Sequence, residues 1–187
     1  MNILATTDGS PHSIQVLTQV AALQAATGGE VVFVRVLNPL TDLGGVYAQS
    51  VAEATDEVRA TWQKGLEEIL ADSGIANARP MVAVLAHKER AHKAIARVAT
   101  EVGAEVVAMS SRGAGAIRHA IVGSVAMSVV GEWSGPTFLV GPRAAAPKDD
   151  GQPYHVLITD DGSPAAKTMV EAMAPLLDGT KTQATLI

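Results

Sequence analysis

The chain has 187 residues, 48% of them hydrophobic, 18% charged and 3% aromatic, which is enough apolar material for a real core and excludes a disordered chain. Fourteen Lys plus Arg against nineteen Asp plus Glu leave a net charge of -5, which speaks against nucleic acid held on a broad basic surface. No apolar run approaches the roughly 20 residues that span a bilayer. Asp8 interrupts the N-terminus where a signal peptide needs an apolar stretch, and zero cysteines remove disulfides, thiol nucleophiles and thiolate metal sites. A cytoplasmic protein without a membrane partner is expected.

The first apolar run, Ile3 to Thr7, reads as a strand that stops at Asp8-Gly9-Ser10-Pro11, a turn followed by an N-cap serine and a proline suited to the first helical position. From Pro11 to Ala26 the residues Ile14, Leu17, Val20, Ala21 and Leu23 recur at helical spacing, and Gly28-Gly29 closes that helix. Val31 to Leu37 is apolar apart from Arg35, as a strand covered on both faces should be. Leu40 to Gln49 has no period and reads as a loop. Val51 to Ser73 is an amphipathic helix with Trp62, Leu66, Ile69 and Leu70 inward. Met81 to Leu85 is expected as a strand, Lys88 to Glu101 as a helix and Glu105 to Met109 as a strand. After a loop over Ser110 to Val122 come a short helix, Ser124 to Glu132, and a strand, Pro136 to Val140. On the short helix Met127 and Val130 are expected in the core. This alternation predicts an α/β fold, an open parallel five-stranded sheet with helices on both faces.

The composition changes at Gly141, and the stretch to Pro153 has no period. His155 to Pro164 then repeats Asn2 to Pro11 almost position for position, a strand entering the same Asp-Gly-Ser-Pro turn. A helix over Ala165 to Leu177 and a strand over Gln183 to Ile187 follow, giving a partial βαβ repeat. Three units are expected: a complete domain over 1–142, a linker over 143–153 and an incomplete second repeat over 154–187.

Ligands of open parallel sheets bind beyond the carboxyl ends of the strands. Three loops meet there: Asp8-Gly9-Ser10, Val36-Leu37-Asn38, and Met109 through Gly123-Ser124. In the third, Gly113 and Gly115 admit backbone amides to an oxyanion, and Gly123-Ser124 sits where a helix begins. Neither GxGxxG nor GxxxxGK[ST] is present, which disfavours a Rossmann dinucleotide site and a Walker NTPase. The five histidines show no ligand spacing, so no metal site is expected. Ser134 lacks the GxSxG elbow of a serine hydrolase.

These residues resemble the universal stress proteins, whose ATP-binding members carry Gly-x2-Gly-x9-Gly-Ser/Thr in this loop. The matching positions are Ser110, Gly113 and Gly123-Ser124, three of four agreeing, with Ser110 in place of the first glycine. The resemblance implies an adenine-nucleotide alpha-hydrolase-like fold. It assigns Asp8 to the acidic position after strand one, Val36 to the residue whose backbone meets adenine, and Met109 to the end of strand four. The site it implies comprises Asp8, Val36, Met109, Ser110, Arg112, Gly113, Gly123 and Ser124. Its ligand is ATP, or AMP or cyclic AMP, with Asp8 placed to hold a ribose hydroxyl or Mg²⁺. The family also implies a role in the stress response and a homodimer through the fifth strand. No base poised to activate water is evident, so no catalytic residue is expected and any ATP hydrolysis is slow. The alternative is a nucleotide-independent dimerisation platform of the same fold, for which Ser110 speaks.

Overall fold

A computed structural model describes all residues except 44–50, 113–121, 145–153 and 178–181. Its strands are β1 (Ile3–Thr7), β2 (Val31–Leu37), β3 (Ala78–Val84), β4 (Val106–Ser110), β5 (Thr137–Val140), β6 (Tyr154–Ile158) and β7 (Thr182–Leu186). Its helices are α1 (Pro11–Ile14), α2 (Val16–Thr27), α3 (Pro39–Asp42), α4 (Val51–Asp72), α5 (Ala91–Glu101), α6 (Ser124–Glu132) and α7 (Pro164–Leu177). Five strands form one sheet in the order β3-β2-β1-β4-β5, with all neighbours parallel.

The burial of β1 explains its sequence. All five of its residues are buried because the strand is central and covered on both faces. Ile3 and Ala5 join Val31, Phe33, Leu37 and Val106 in a core closed by α2 and α4, through Val16, Val20, Leu66 and Leu70. Leu4 joins Val32, Val34, Val107 and Met109 in a second core closed by α5 and α6, through Ile95, Val98, Ala126 and Val129. The period of two along each strand thus feeds two layers.

Several expected boundaries move for local reasons. The helix expected over Pro11 to Ala26 is interrupted at Gln15, where the Thr18 N–H bonds the Gln15 carbonyl in a tightened turn. β3 begins at Ala78 and contains Pro80, which an edge strand tolerates because one of its sides has no ladder to complete. Gln63 Nε2 donates to the Pro80 carbonyl at 3.2 Å and covers part of that edge. α5 starts at Ala91 instead of Lys88, since Lys88 is left-handed at φ 62 and Glu89 accepts the Ala86 N–H at 2.8 Å, closing a turn ahead of the helix. The loop expected over Leu40 to Gln49 contains the short helix α3, whose N-cap Asn38 accepts from the Leu40 amide, while 44–50 lie outside the described residues. The placement of Met127 and Val130 in the core is overturned. They are 59% and 49% exposed, and α6 buries Ala126 and Val129 instead, because the short helix packs through its small face.

β6 and β7 pair parallel in a separate two-stranded sheet, and α7 packs on α2 of the first unit. Ile158 is buried, whereas Leu157, Leu186 and Ile187 are exposed. The linker expected over 143–153 lies outside the described residues apart from Arg143 and Ala144.

Candidate functional site

The strand order reverses direction between β1 and β4, and the two strands separate there. Their pairing runs only from Ile3↔Val106 to Ala5↔Ala108, although β1 continues beside β2 to Thr7↔Arg35 and β4 continues beside β5 to Ser110↔Val140. The ends that part open a cleft of about 340 Å³ at the switch point, the position where open α/β sheets take ligands. Among its lining residues are Asp8, Val36, Met109, Ser110, Arg112, Gly123 and Ser124, all named from the sequence. Gly113, the remaining one, lies outside the described residues, as does Gly115.

One wall is the turn after β1. Gly9 takes φ +84, a conformation that favours glycine, and its N–H donates to Thr7 Oγ1 at 2.9 Å. The Ser10 N–H donates to Asp8 Oδ1 at 2.9 Å, so Asp8 helps to close the turn while standing exposed at the cleft mouth. Ser10 caps α1 by accepting from the Ser13 amide at 3.3 Å. Buried Ser13 shares a 2.7 Å hydrogen bond with Thr7 Oγ1 and donates to the Ser10 carbonyl.

The second wall follows β4. The Ser110 hydroxyl donates to the Arg112 carbonyl at 2.6 Å and accepts from the Arg112 amide at 3.3 Å, turning back on its own loop. The only described non-glycine residue with positive φ is Lys88, so the backbone at Ser110 does not require a glycine. Arg112 Nε is buried without a hydrogen-bond partner among the described residues. Gly123 donates its N–H to the Ser111 carbonyl at 2.6 Å and is the N-cap of α6, with φ -73 and ψ 155. This is extended backbone open to any residue, so the close approach at Gly123 rests on the missing side chain and not on an unusual φ.

Two helix N-termini reach the cleft without side-chain caps. α6 begins at Ser124 after Gly123, α5 begins at Ala91 after Arg90, and neither N-cap side chain bonds the helix. Their first amides lack intrahelical partners and carry the positive ends of the helix dipoles. Val36, Ile95 and Met109 supply apolar surface in the same cleft. Sequence reasoning named three loops, of which the third also supplies Ser111, and missed Ala91, Ile95 and Ser13. The sequence pattern started that helix at Lys88, and only the fold shows its terminus at Ala91 reaching the cleft. Asp8 is the one carboxylate among the described lining residues, and no group of three or more His, Cys, Asp or Glu able to hold a metal occurs among the described residues.

The repeated turn rebuilds the same bonds. Gly162 donates to Asp160 Oδ1 at 2.7 Å, Ser163 donates to Asp161 Oδ1 at 2.9 Å, and the Ala166 amide donates to Ser163 Oγ at 3.1 Å. The hydroxyl and amide of Ser163 hold the Asp161 carboxyl below the usual carboxylate range.

Strand order, parallel register and a cleft at the switch point define an α/β protein with an open parallel five-stranded sheet, matching the adenine-nucleotide alpha-hydrolase-like fold. A family model described as the Universal stress protein family matches residues 1–141, and the chain belongs to that family. A universal stress protein from Archaeoglobus fulgidus DSM 4304 is similar over 99% of this chain and 64% of its own, at 20% identity and a TM-score of 0.69. The universal stress protein UspA from Lactobacillus plantarum is similar over 75% of this chain and 97% of its own, at 14% identity and a TM-score of 0.59. A universal stress protein solved in complex with cAMP is similar over 76% of this chain and 97% of its own, at 16% identity and a TM-score of 0.54. No curated protein matches the chain. Among the described residues no helix is long and apolar enough to cross a membrane.

Proposed function

We propose that the cleft between β1 and β4 binds an adenine nucleotide, ATP in the first instance and AMP or cyclic AMP as variants of the same ligand, and that occupancy regulates contacts with a protein partner in the cytoplasmic stress response. The observation that carries this reading is the convergence of two uncapped helix N-termini on one cleft that also offers apolar surface. Phosphate oxygens suit the free amides of α6 and α5, and the base suits Val36, Ile95 and Met109. Asp8 at the mouth suits a ribose hydroxyl or, with phosphate oxygens and water completing the shell, a Mg²⁺ ion. The cAMP complex of a related fold supports the ligand class. Ser110 is compatible with it, because its hydroxyl is already engaged with Arg112. Among the described lining residues Asp8 is the one group able to take a proton from water, and it already accepts from the Ser10 amide, so turnover is expected to be slow.

The second reading, a nucleotide-independent platform, draws on β5. It is a sheet edge, and the adjoining α6 leaves Val125, Met127 and Val130 exposed. An open edge beside apolar side chains favours pairing with a second copy through the fifth strand, in either reading. Residues 154–187 are taken as an incomplete second repeat joined to 1–142 by the segment 143–153. Heat denaturation of purified protein followed by assay of the supernatant for adenine nucleotide, with calorimetric titration of MgATP, separates the two. Bound nucleotide or a saturable heat supports the first, and neither at millimolar ligand leaves the platform.

A further inference from the structure

Arg35 breaks the apolar run of β2 on the face it shares with Val31, Phe33 and Leu37, while its neighbour Val36 looks into the cleft. A charged residue set into a core face needs partners. The register places Arg35 beside Thr7, the last residue of β1 before the Asp8 turn. Its guanidinium carbon stands 3.5 Å from the centroid of the Trp62 ring on α4, a cation–π contact. The same group reaches the turn itself. A Cβ on Gly9 would lie 2.7 Å from Cζ, 2.8 Å from Nη1 and 2.9 Å from Nη2, near-equal distances that lay the guanidinium plane flat against the glycine. Burial lowers the pKa of Arg35, and the carboxylates of Asp42 and Asp8 act in the opposite sense.

The repeat carries the same turn. Its turn closes with equivalent hydrogen bonds, yet around Gly162 at φ +76 a Cβ would meet nothing within 4 Å. What Arg35 adds in the first unit is an attachment of the turn to β2 and α4, and a positive charge behind the Asp8 carboxylate.

We propose that Arg35 is a positioning residue for the cleft, clamping the Asp8-Gly9 turn to Trp62 from the opposite face of the sheet, so that the α4 indole senses whether the cleft is filled. The sensing half rests on the nucleotide reading above, and the clamping half does not. Ligand that engages Asp8 pulls on the turn, the turn moves the guanidinium, and the guanidinium shifts against the indole.

The test uses Trp133→Phe, so that Trp62 is the sole tryptophan, with calorimetry and emission followed in one MgATP titration. Heat and emission are expected to share a midpoint. Arg35→Gln is expected to weaken binding on the order of ten-fold and abolish the emission change, and Arg35→Lys to restore part of the affinity, since it keeps the charge and loses the stacking plane. Equal affinity in Arg35→Gln, or heat without any emission change, overturns the proposal and leaves the nucleotide reading standing. No heat in wild type overturns the nucleotide reading, and amide exchange without ligand then decides the clamp, as it does if only the Trp133→Phe protein fails to bind. Arg35→Gln should speed exchange of the Gly9 and Ser10 amides while Phe33 and Val34 keep their rates, and unchanged Gly9 and Ser10 rates reject it. Circular dichroism checks the fold, and if Arg35→Gln does not fold, Arg35→Lys and Trp62→Phe are read by the same exchange measurement.

Discussion

Replacing Gly9 by Ala loads two separable costs on one methyl group. An L-residue at φ +84 sits in the left-handed region, worth about 1–2 kcal/mol against folding. The new Cβ would also stand 2.7 to 2.9 Å from three guanidinium atoms, a crowding that Arg35 relieves only by leaving the Trp62 ring. Loss of that half-buried cation–π contact adds about 1 kcal/mol. Gly9→Ala should therefore destabilise wild type by about 2–3 kcal/mol, and the Arg35→Ala background by only about 1–2 kcal/mol. Urea denaturation of wild type, both single variants and the double variant, followed by far-ultraviolet circular dichroism, yields the coupling energy directly. Equal costs of Gly9→Ala in the two backgrounds, within about 0.3 kcal/mol, would refute the argument that the glycine makes room for the arginine.

Gly123→Val should abolish the heat of MgATP binding while the melting temperature falls by no more than a few degrees, since φ -73 and ψ 155 suit valine and only the cleft loses space. A titration as strong as wild type would sink it. Met127→Glu with Val130→Lys should change unfolding free energy by less than about 0.5 kcal/mol, because both side chains are exposed. Light scattering on that pair should report monomer if a second copy covers this end of the sheet, and an unaltered dimer would exclude the α6 face from the contact. Glu89 is held below its ordinary range first by its hydrogen bonds to Arg97 and then by the Ala86 amide. Its pKa is lower folded than unfolded, so its contribution is present above about pH 4.3, the unfolded value, and fades as pH falls through the folded value. Glu89→Gln should cost roughly 1 kcal/mol at pH 7, with the gap to wild type narrowing in acid unfolding curves below about pH 4. A gap independent of pH would show that the carboxylate charge is not involved.

The parts of the fold legible in the sequence are those whose pattern is set by immediate neighbours. Ile3 to Thr7 and Val31 to Leu37 are apolar runs closed by Asp-Gly and Asn-Pro, and both strands occupy those residues. The start of α6 at Ser124 follows from Gly123. What was not legible depends on distant partners. Pro80 argues against a strand until β3 is known to be an edge, and Met127 and Val130 look like core until Ala126 and Val129 are seen to face the sheet. The same holds at the cleft. The loops after β1, β2 and β4 could be named because each ends a recognisable strand, and the structure brings them together. The α5 terminus was hidden by the left-handed Lys88, and Arg35 could be marked as an interruption without its partner Trp62 on another helix being known.

The parting of β1 from β4 also orders the assembly of the molecule in time. The Asp8 to Ser13 bonds join residues no more than five apart, and their counterparts form again around Gly162 beside a sheet of only two strands. Such short-range closure can occur early in folding. By contrast Ile3 finds Val106 only after a loop of about a hundred residues has closed, at an entropic cost no local bond offsets. The cleft is thus bounded by two walls that each close through local bonds, at Asp8 to Ser13 and at Ser110 to Arg112, and that meet only when β1 and β4 pair. Substitutions that weaken the Ile3 to Ala5 pairing with β4 should therefore slow refolding more than equally destabilising ones within either wall, as stopped-flow refolding rates would report.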